Sequence, residues 1–274
     1  LTGGSKGLGF ELAKKIFSCG HNLCISSRSS EELNDAHRRI LQERKSMDNF
    51  LTTYGCDISF DANGLFDYFI STFGRIDVLI NNAATLGGLG KLEDVNFDNW
   101  NYVIETNLIA PVLLTKLAVP HMKKNKYGKI IQISGGGATS PLKNMSAYAT
   151  SKAAVVRFVE CMSLELKDTG VDINAVAPGI MKTQLVDEVL NNRESVDDEY
   201  WQMMKNYNDF SFSHPVDLIM FLMSHESDGI CGKLISAKYD SWREFYNHKE
   251  EVVANREAYT CLLYTSDAAD DTPC

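Results

Sequence analysis

The sequence predicts an α/β fold: a doubly wound parallel sheet in a single domain, with its first strand cut short. Three observations lead there. Short apolar runs of strand length alternate with longer stretches of helical period along most of the chain. A glycine-rich turn, Thr2-Gly3-Gly4-Ser5-Lys6-Gly7-Leu8-Gly9, stands directly before the first helical stretch. No internal repeat or low-complexity linker divides residues 1–260, so one core is expected.

Each element follows from its own pattern. Gly7 to Ser18 carries Leu8, Leu12 and Ile16 at four-residue spacing and reads as a helix. Asn22 to Ser27, an apolar run after Gly20, reads as a strand. Ser29 or Ser30 followed by Glu31-Glu32 makes a helix start, and that helix is expected to run to about Lys45. Next come a strand at Phe50 to Gly55, a helix at Phe60 to Phe73 and a strand at Val78 to Asn81. A long helix is expected from about Phe97 to Lys124, with Pro111 near its middle. The second half reads as strand Lys129 to Ser134, helix Ser146 to Lys167, strand Asp172 to Ala177, helix Pro215 to Met223 and strand Lys233 to Ser236. Residues 182–210 are polar and aromatic without strict period. Residues 241–260, with Trp242, Phe245 and Tyr246 among many charges, read as a surface helix used in assembly. This alternation implies right-handed crossovers and helices on both sheet faces, a Rossmann-like arrangement.

The chain has 274 residues, 44% of them hydrophobic, and a formal charge of −9. The acidic balance argues against nucleic acid or an anionic membrane as the main partner. No run of eighteen apolar residues occurs and no signal peptide precedes the glycine turn, so a cytoplasmic protein is expected. The seven cysteines form no CxxC pair and have no metal-ligand spacing with histidine, so no metal is expected. Cys19, Cys24, Cys56 and Cys161 lie in or beside apolar patterns and read as free buried thiols. At the ends, Leu1-Thr2 enters the glycine turn without the several apolar residues of a strand. Residues 261–274 resemble a translated sequencing adapter, and the native domain is expected to end near Thr260.

The glycine turn carries the first chemistry. Glycines let the backbone approach a pyrophosphate, and a helix N-terminus offers free N–H groups with partial positive charge. The spacing Gly-x3-Gly-x-Gly resembles that of the short-chain dehydrogenase/reductase family. Three further blocks resemble it in order: Asn81-Asn82-Ala83-Ala84, Tyr148-x3-Lys152 and Asn174-Ala-Val-Ala-Pro178-Gly179. The resemblance spans about residues 1–185. It implies a nicotinamide dinucleotide held by Gly3, Ser5, Lys6, Gly7, Leu8 and Gly9. Asp57 would meet the adenine, and Asn81 and Ala83 would shape the loop beside the cofactor. Pro178, Gly179 and Thr183 would grip the carboxamide. The second strand ends in Ser26-Ser27-Arg28-Ser29, with no carboxylate before Glu31. An acidic residue there would suit the ribose of NAD, whereas Arg28, with Lys6, can pair with a 2′-phosphate. NADP(H) is therefore the expected cofactor.

Tyr148 and Lys152, four apart, share a helix face. A neighbouring ammonium and the positive nicotinamide of the oxidised cofactor are expected to favour phenolate, so that Tyr148 exchanges the proton of the substrate oxygen. Lys152 would also hold the nicotinamide ribose. Asn107 resembles the family's helix-interrupting asparagine, which anchors a water linking the lysine to solvent. One departure stands out. The family's catalytic serine lies thirteen residues before the tyrosine, and that position here is Gly135; Ser134 beside it, or Thr139 or Ser140, is the candidate replacement. Residues 182–210, with Trp201, Met203, Met204, Tyr207, Phe210 and Phe212, are expected to form a lid.

The resulting expectation is an NADP(H)-dependent oxidoreductase moving a hydride between the nicotinamide and a carbonyl or alcohol, the branch acting on 3-oxoacyl thioesters being one option. A non-catalytic NADP(H)-binding sensor or scaffold is the alternative. The resemblance also implies a homodimer or homotetramer assembled through the helices at 97–124 and 146–167.

Overall fold

A computed structural model describes residues 1–45, 48–208, 210–255 and 258–260; the adapter-like segment 261–274 lies outside them. In chain order the elements are α1 (Gly7–Ser18), β1 (Leu23–Ser27), α2 (Ser30–Gln42), β2 (Leu51–Gly55), α3 (Ile58–Phe73) and β3 (Val78–Asn81). Then follow α4 (Phe97–Ile104), a π turn at Glu105–Ile109, α5 (Ala110–Asn125), β4 (Gly128–Ile133), α6 (Ser146–Glu165) and β5 (Val171–Ala177). The chain closes with α7 (Gln184–Asn191), α8 (Asp198–Asn206), α9 (Ser213–Met223), β6 (Leu234–Ser236) and α10 (Lys249–Ala254).

All strand pairs are parallel. They form a two-stranded sheet, β1-β2, and a four-stranded sheet in the order β3-β4-β5-β6. Leu1 and Thr2 lie between the two and touch both. Ser26 donates its N–H to Leu1 O at 3.1 Å, and Thr2 donates to Ile80 O at 3.0 Å. Leu1 N donates to Cys24 O at 3.0 Å.

Strand residues alternate between two cores. Leu23 and Ile25 face α1, α2 and α9, whereas Cys24 between them faces α3, α5 and α6. Ile131 and Ile133 share the first core and Ile130 the second. Helices therefore cover both faces, which is why the strands read as continuous apolar runs.

Four expectations need correction. The long helix after β3 is interrupted: Ala110 donates its N–H to Glu105 O, a bond one residue longer than the α repeat, next to Pro111, which has no N–H to give. The run Phe97–Asn125 is apolar and long enough to cross a membrane by those measures alone, but its buried face packs into the second core and against β4. Residues 182–210 are largely helical, with Asp197 capping α8 by accepting from Glu199 N. Within 241–260, Trp242 and Phe245 are buried in the first core, Trp242 donating Nε1–H to Ala237 O at 3.1 Å, so these two anchor the segment, while Tyr246 is exposed. Lastly, Cys19 and Cys161 are exposed; only Cys24 of the named thiols is fully buried.

Candidate active site

The C-terminal ends of the strands open into one cavity of about 750 Å³. The glycine turn forms its floor. Gly3 and Gly7 have φ of +66° and +56°, which a side chain would strain. Gly9 permits closer contact still: a Cβ there would lie 2.0 Å from Gly3 O and 2.6 Å from Asn82 Nδ2. Asn82 is the latch, its Nδ2 donating to Thr2 O at 2.9 Å and Gly3 O at 3.1 Å. Ser5 donates to Ser27 Oγ at 2.9 Å, joining the turn to β1. The N-terminus of α1 has no side-chain cap and no acidic residue in its first turn, so its amides and dipole face the cavity free to meet an anion.

Gly3, Ser5, Lys6, Gly7, Leu8 and Gly9 all line this floor, as the sequence predicts. Lys6 also pairs with Glu32 at 3.0 Å. On the β1 side stand Arg28 and Asp57. Arg28 Nη1 donates to Tyr102 Oη at 2.7 Å, and Tyr102 donates to Asp57 Oδ2 at 2.5 Å. Asp57 caps α3, accepting from Ser59 N and Oγ at 3.0 and 2.7 Å. Partial burial would raise its pKa, but these bonds from Tyr102 and Ser59 carry it below the ordinary carboxylate range.

Tyr148 and Lys152 project from one face of α6 into the same cavity, opposite Pro178, Gly179 and Thr183, with Ala83 beside them. Lys152 is buried and donates Nζ–H to Ile133 O at 2.8 Å; burial lowers its pKa to about 8. Its ammonium lies 5.6 Å from the centre of the Tyr148 ring. In the chain by itself the phenol pKa is pushed up, first by burial and then by Tyr200. Desolvation wins because Lys152 turns to a backbone carbonyl, leaving the phenolate poorly compensated.

Two predicted residues do not line the cavity. Asn81 is buried behind it, donating Nδ2–H to Pro111 O at 3.4 Å, and its neighbour Asn82 contacts the glycine turn instead. Asn107 sits in the π turn, accepting from Thr85 N at 2.9 Å and donating to Thr85 O at 2.9 Å and Ser151 Oγ at 3.1 Å. It ties the cavity wall at Thr85 to the residue before Lys152. Ser134 lines the cavity, but its hydroxyl is turned to Lys152 O at 3.5 Å. Gly135 is the residue that meets the phenol: a Cβ there would lie 2.7 Å from Tyr148 Oη.

Of the expected lid residues, Met203 and Met204 line the cavity. Trp201 instead donates to Leu190 O at 3.1 Å, Lys238 donates to Tyr207 Oη at 2.7 Å, and Phe210 packs edge-on against Tyr207. Phe212 packs against the first core. The expected lid residues did not include Leu185, Val186 and Val189, which line the cavity, or Tyr200, one position before Trp201, whose hydroxyl acts on Tyr148. Helical phase places them there, and that phase could not be set while 182–210 read as irregular.

The order of these parts is also that of a known family: a model of the short chain dehydrogenases matches residues 1–194. The chain belongs to that family. This dehydrogenase is 27% identical over 238 residues to dehydrogenase/reductase SDR family member 4 of Pongo abelii, covering 86% of this chain and 84% of that protein. Among solved structures, it superposes on YwfH, an NADPH-dependent reductase involved in bacilysin biosynthesis, with a TM-score of 0.77 at 26% identity. That match covers 86% of this chain and 94% of YwfH. An NAD⁺-bound xylitol dehydrogenase shares the fold, with a TM-score of 0.75 at 22% identity over 86% of this chain and 95% of that one. The dehydrogenase is thus an oxidoreductase of the short-chain family, similar in structure to one NAD⁺-bound and one NADPH-dependent enzyme.

Proposed function

We propose that this dehydrogenase is an NADP(H)-dependent reductase in which Tyr148 gives a proton to a substrate carbonyl oxygen, the reverse step oxidising an alcohol. The observation that carries this reading is the meeting of Tyr148 and Lys152 with the uncapped N-terminus of α1 in one cavity. The residues fit a dinucleotide. The glycine turn leaves room for a backbone–phosphate approach, and Arg28 presents a guanidinium where an NAD enzyme would place a carboxylate. Pro178, Gly179 and Thr183 would hold the nicotinamide end. When bound, the cofactor supplies or accepts the hydride.

The remaining chemistry belongs to the chain. The Tyr148 phenol carries its proton at neutral pH, but burial raises its pKa and opposes the proton's departure, a cost that the neighbouring Lys152 ammonium is placed to offset. Lys152, close to half-charged near pH 8 and bonded to Ile133 O, would hold the ribose and steady the phenolate once the proton has left. Leu86, Met203 and Met204 give the substrate end an apolar wall. Exposed Phe97, Ile109 and Leu164 on α4, the π turn and α6 support a homodimer or homotetramer. One observation favours a second reading, a non-catalytic NADP(H) sensor or scaffold: the absence of a side chain at Gly135 beside the phenol.

The test is NADPH oxidation over a panel of carbonyl compounds that includes a 3-oxoacyl thioester. NADH and Tyr148→Phe serve as controls. The expected result is turnover with NADPH, weaker turnover with NADH, and loss in the variant. Tight NADPH binding without turnover on any compound would favour the sensor.

A further inference from the structure

Arg28, Tyr102 and Asp57 come from three separate elements, β1, α4 and the head of α3, yet they form one chain of hydrogen bonds at the rim of the cavity. The direction of each bond is set by chemistry. A guanidinium can only donate, and at neutral pH the Asp57 carboxylate can only accept. The Tyr102 hydroxyl therefore gives its single proton to Asp57 and turns a lone pair toward Arg28. Asp57 in turn is fixed by Ser59, at both the backbone N–H and the hydroxyl. The Arg28 guanidinium lies 6.0 Å from the centre of the Tyr102 ring. One of its five N–H donors is thus engaged by a group that is itself anchored.

We propose that Tyr102 is a positioning residue for cofactor choice: anchored by Asp57, it holds the Arg28 guanidinium where it can meet the extra phosphate of a phosphorylated ribose. This rests on the reading that the cofactor is NADP(H). Lys6, the other cation expected to read that phosphate, is paired with Glu32, which offsets its charge. Arg28 is the cation that a neighbouring anchored side chain holds in place. A long, exposed arginine loses rotamer freedom on binding an anion, and Tyr102 removes part of that loss beforehand.

The test measures dissociation constants rather than turnover. NADPH, NADH, adenosine 2′,5′-bisphosphate and 5′-AMP are titrated into the full chain and into Tyr102→Phe. The two adenosine compounds report on this end of the cavity alone. The variant is expected to lose about tenfold in affinity for NADPH and for the bisphosphate, with NADH and 5′-AMP unchanged. Asp57→Asn, which keeps Tyr102 but weakens its anchor and also alters the expected adenine contact, is expected to weaken all four ligands and, beyond that, to lower the preference for NADPH over NADH by a smaller factor than Tyr102→Phe. It keeps the question open to measurement if Tyr102→Phe fails to fold. Equal losses for phosphorylated and unphosphorylated ligands, or no loss in either variant, would overturn the proposal. A starting protein that binds NADH as tightly as NADPH would instead overturn the cofactor reading, and this assignment with it.

Discussion

Gly135 is where the chemistry of this dehydrogenase is most sensitive to a small change. Replacing it with alanine puts a methyl 2.7 Å from Tyr148 Oη and 3.6 Å from the ring carbon bearing it. An unstrained contact needs roughly 3.5 Å, so the hydroxyl must move by several tenths of an ångström. The backbone at Gly135 is fully extended, a conformation alanine adopts without strain, so the clash falls on the phenol. The end of a side chain can yield, and the stability cost should stay near 1 kcal/mol, at the low end for overpacking. Geometry at a reacting atom is less forgiving, and a misplacement approaching 1 Å can cost on the order of a hundredfold in rate. Gly135→Ala should therefore lower kcat by about 10- to 100-fold in steady-state NADPH oxidation, with the NADPH dissociation constant unchanged and Tm lowered by only a few degrees. A variant that keeps full kcat would refute the idea that the phenol must lie against a bare backbone.

Three other outcomes follow from the geometry. Gly9→Ala, although a favourable change in an ordinary helix, should cost about 3 kcal/mol in denaturant unfolding and abolish dinucleotide binding, because its Cβ meets Gly3 O at 2.0 Å and the Asn82 amide at 2.6 Å. Lys152 is a base whose pKa is lowered on folding, from 10.5 to about 8, so the unfolded chain binds the proton more tightly. The cost to stability is full below pH 8 and fades as pH rises toward 10.5; Lys152→Met should thus gain on the order of 2 kcal/mol at pH 7 and lose the alkaline rise, and parallel pH profiles for the two proteins would disprove this. Lys129, buried below the sheet, reaches Asp172 at 2.8 Å, Asp228 at 2.7 Å and Ser227 Oγ at 3.3 Å. Lys129→Met leaves two carboxylates without their cation and should cost about 3 kcal/mol in chemical denaturation with kcat/KM unchanged.

What could be read from the residues was what depends on local pattern. The parallel strands, the glycine turn at α1 and the Tyr148–Lys152 pair one helical turn apart each follow from spacing within a short window. Side-chain direction did not follow. Asn81 and Asn82 are equivalent as letters, but the strand pleat sends the first inward and the second to the glycine turn. Ser134 and Gly135 differ the same way: the hydroxyl turns to α6 and the bare residue faces the phenol. Tyr102 sits 74 residues from Arg28 and 45 from Asp57, and only the tertiary fold brings the three together. The raised phenol pKa was illegible for a related reason, since burial is a property of the whole cavity and not of the Tyr-x3-Lys spacing.

The two sheets meet along a seam beside the glycine turn. One plate, β1-β2, carries Arg28 and leads to Asp57; the other, β3 to β6, backs the helix that holds Tyr148. The start of the glycine turn lies between them: Thr2 donates to Ile80 O, Gly4 donates to Ser26 O, and Asn82 donates to Thr2 O and Gly3 O. A dinucleotide reaching from Arg28 to Tyr148 would lie across that seam as a brace. Its binding should slow amide exchange on both sides at once, at β1 and at β4 and β5, and make the two sheets resist denaturant as one cooperative body.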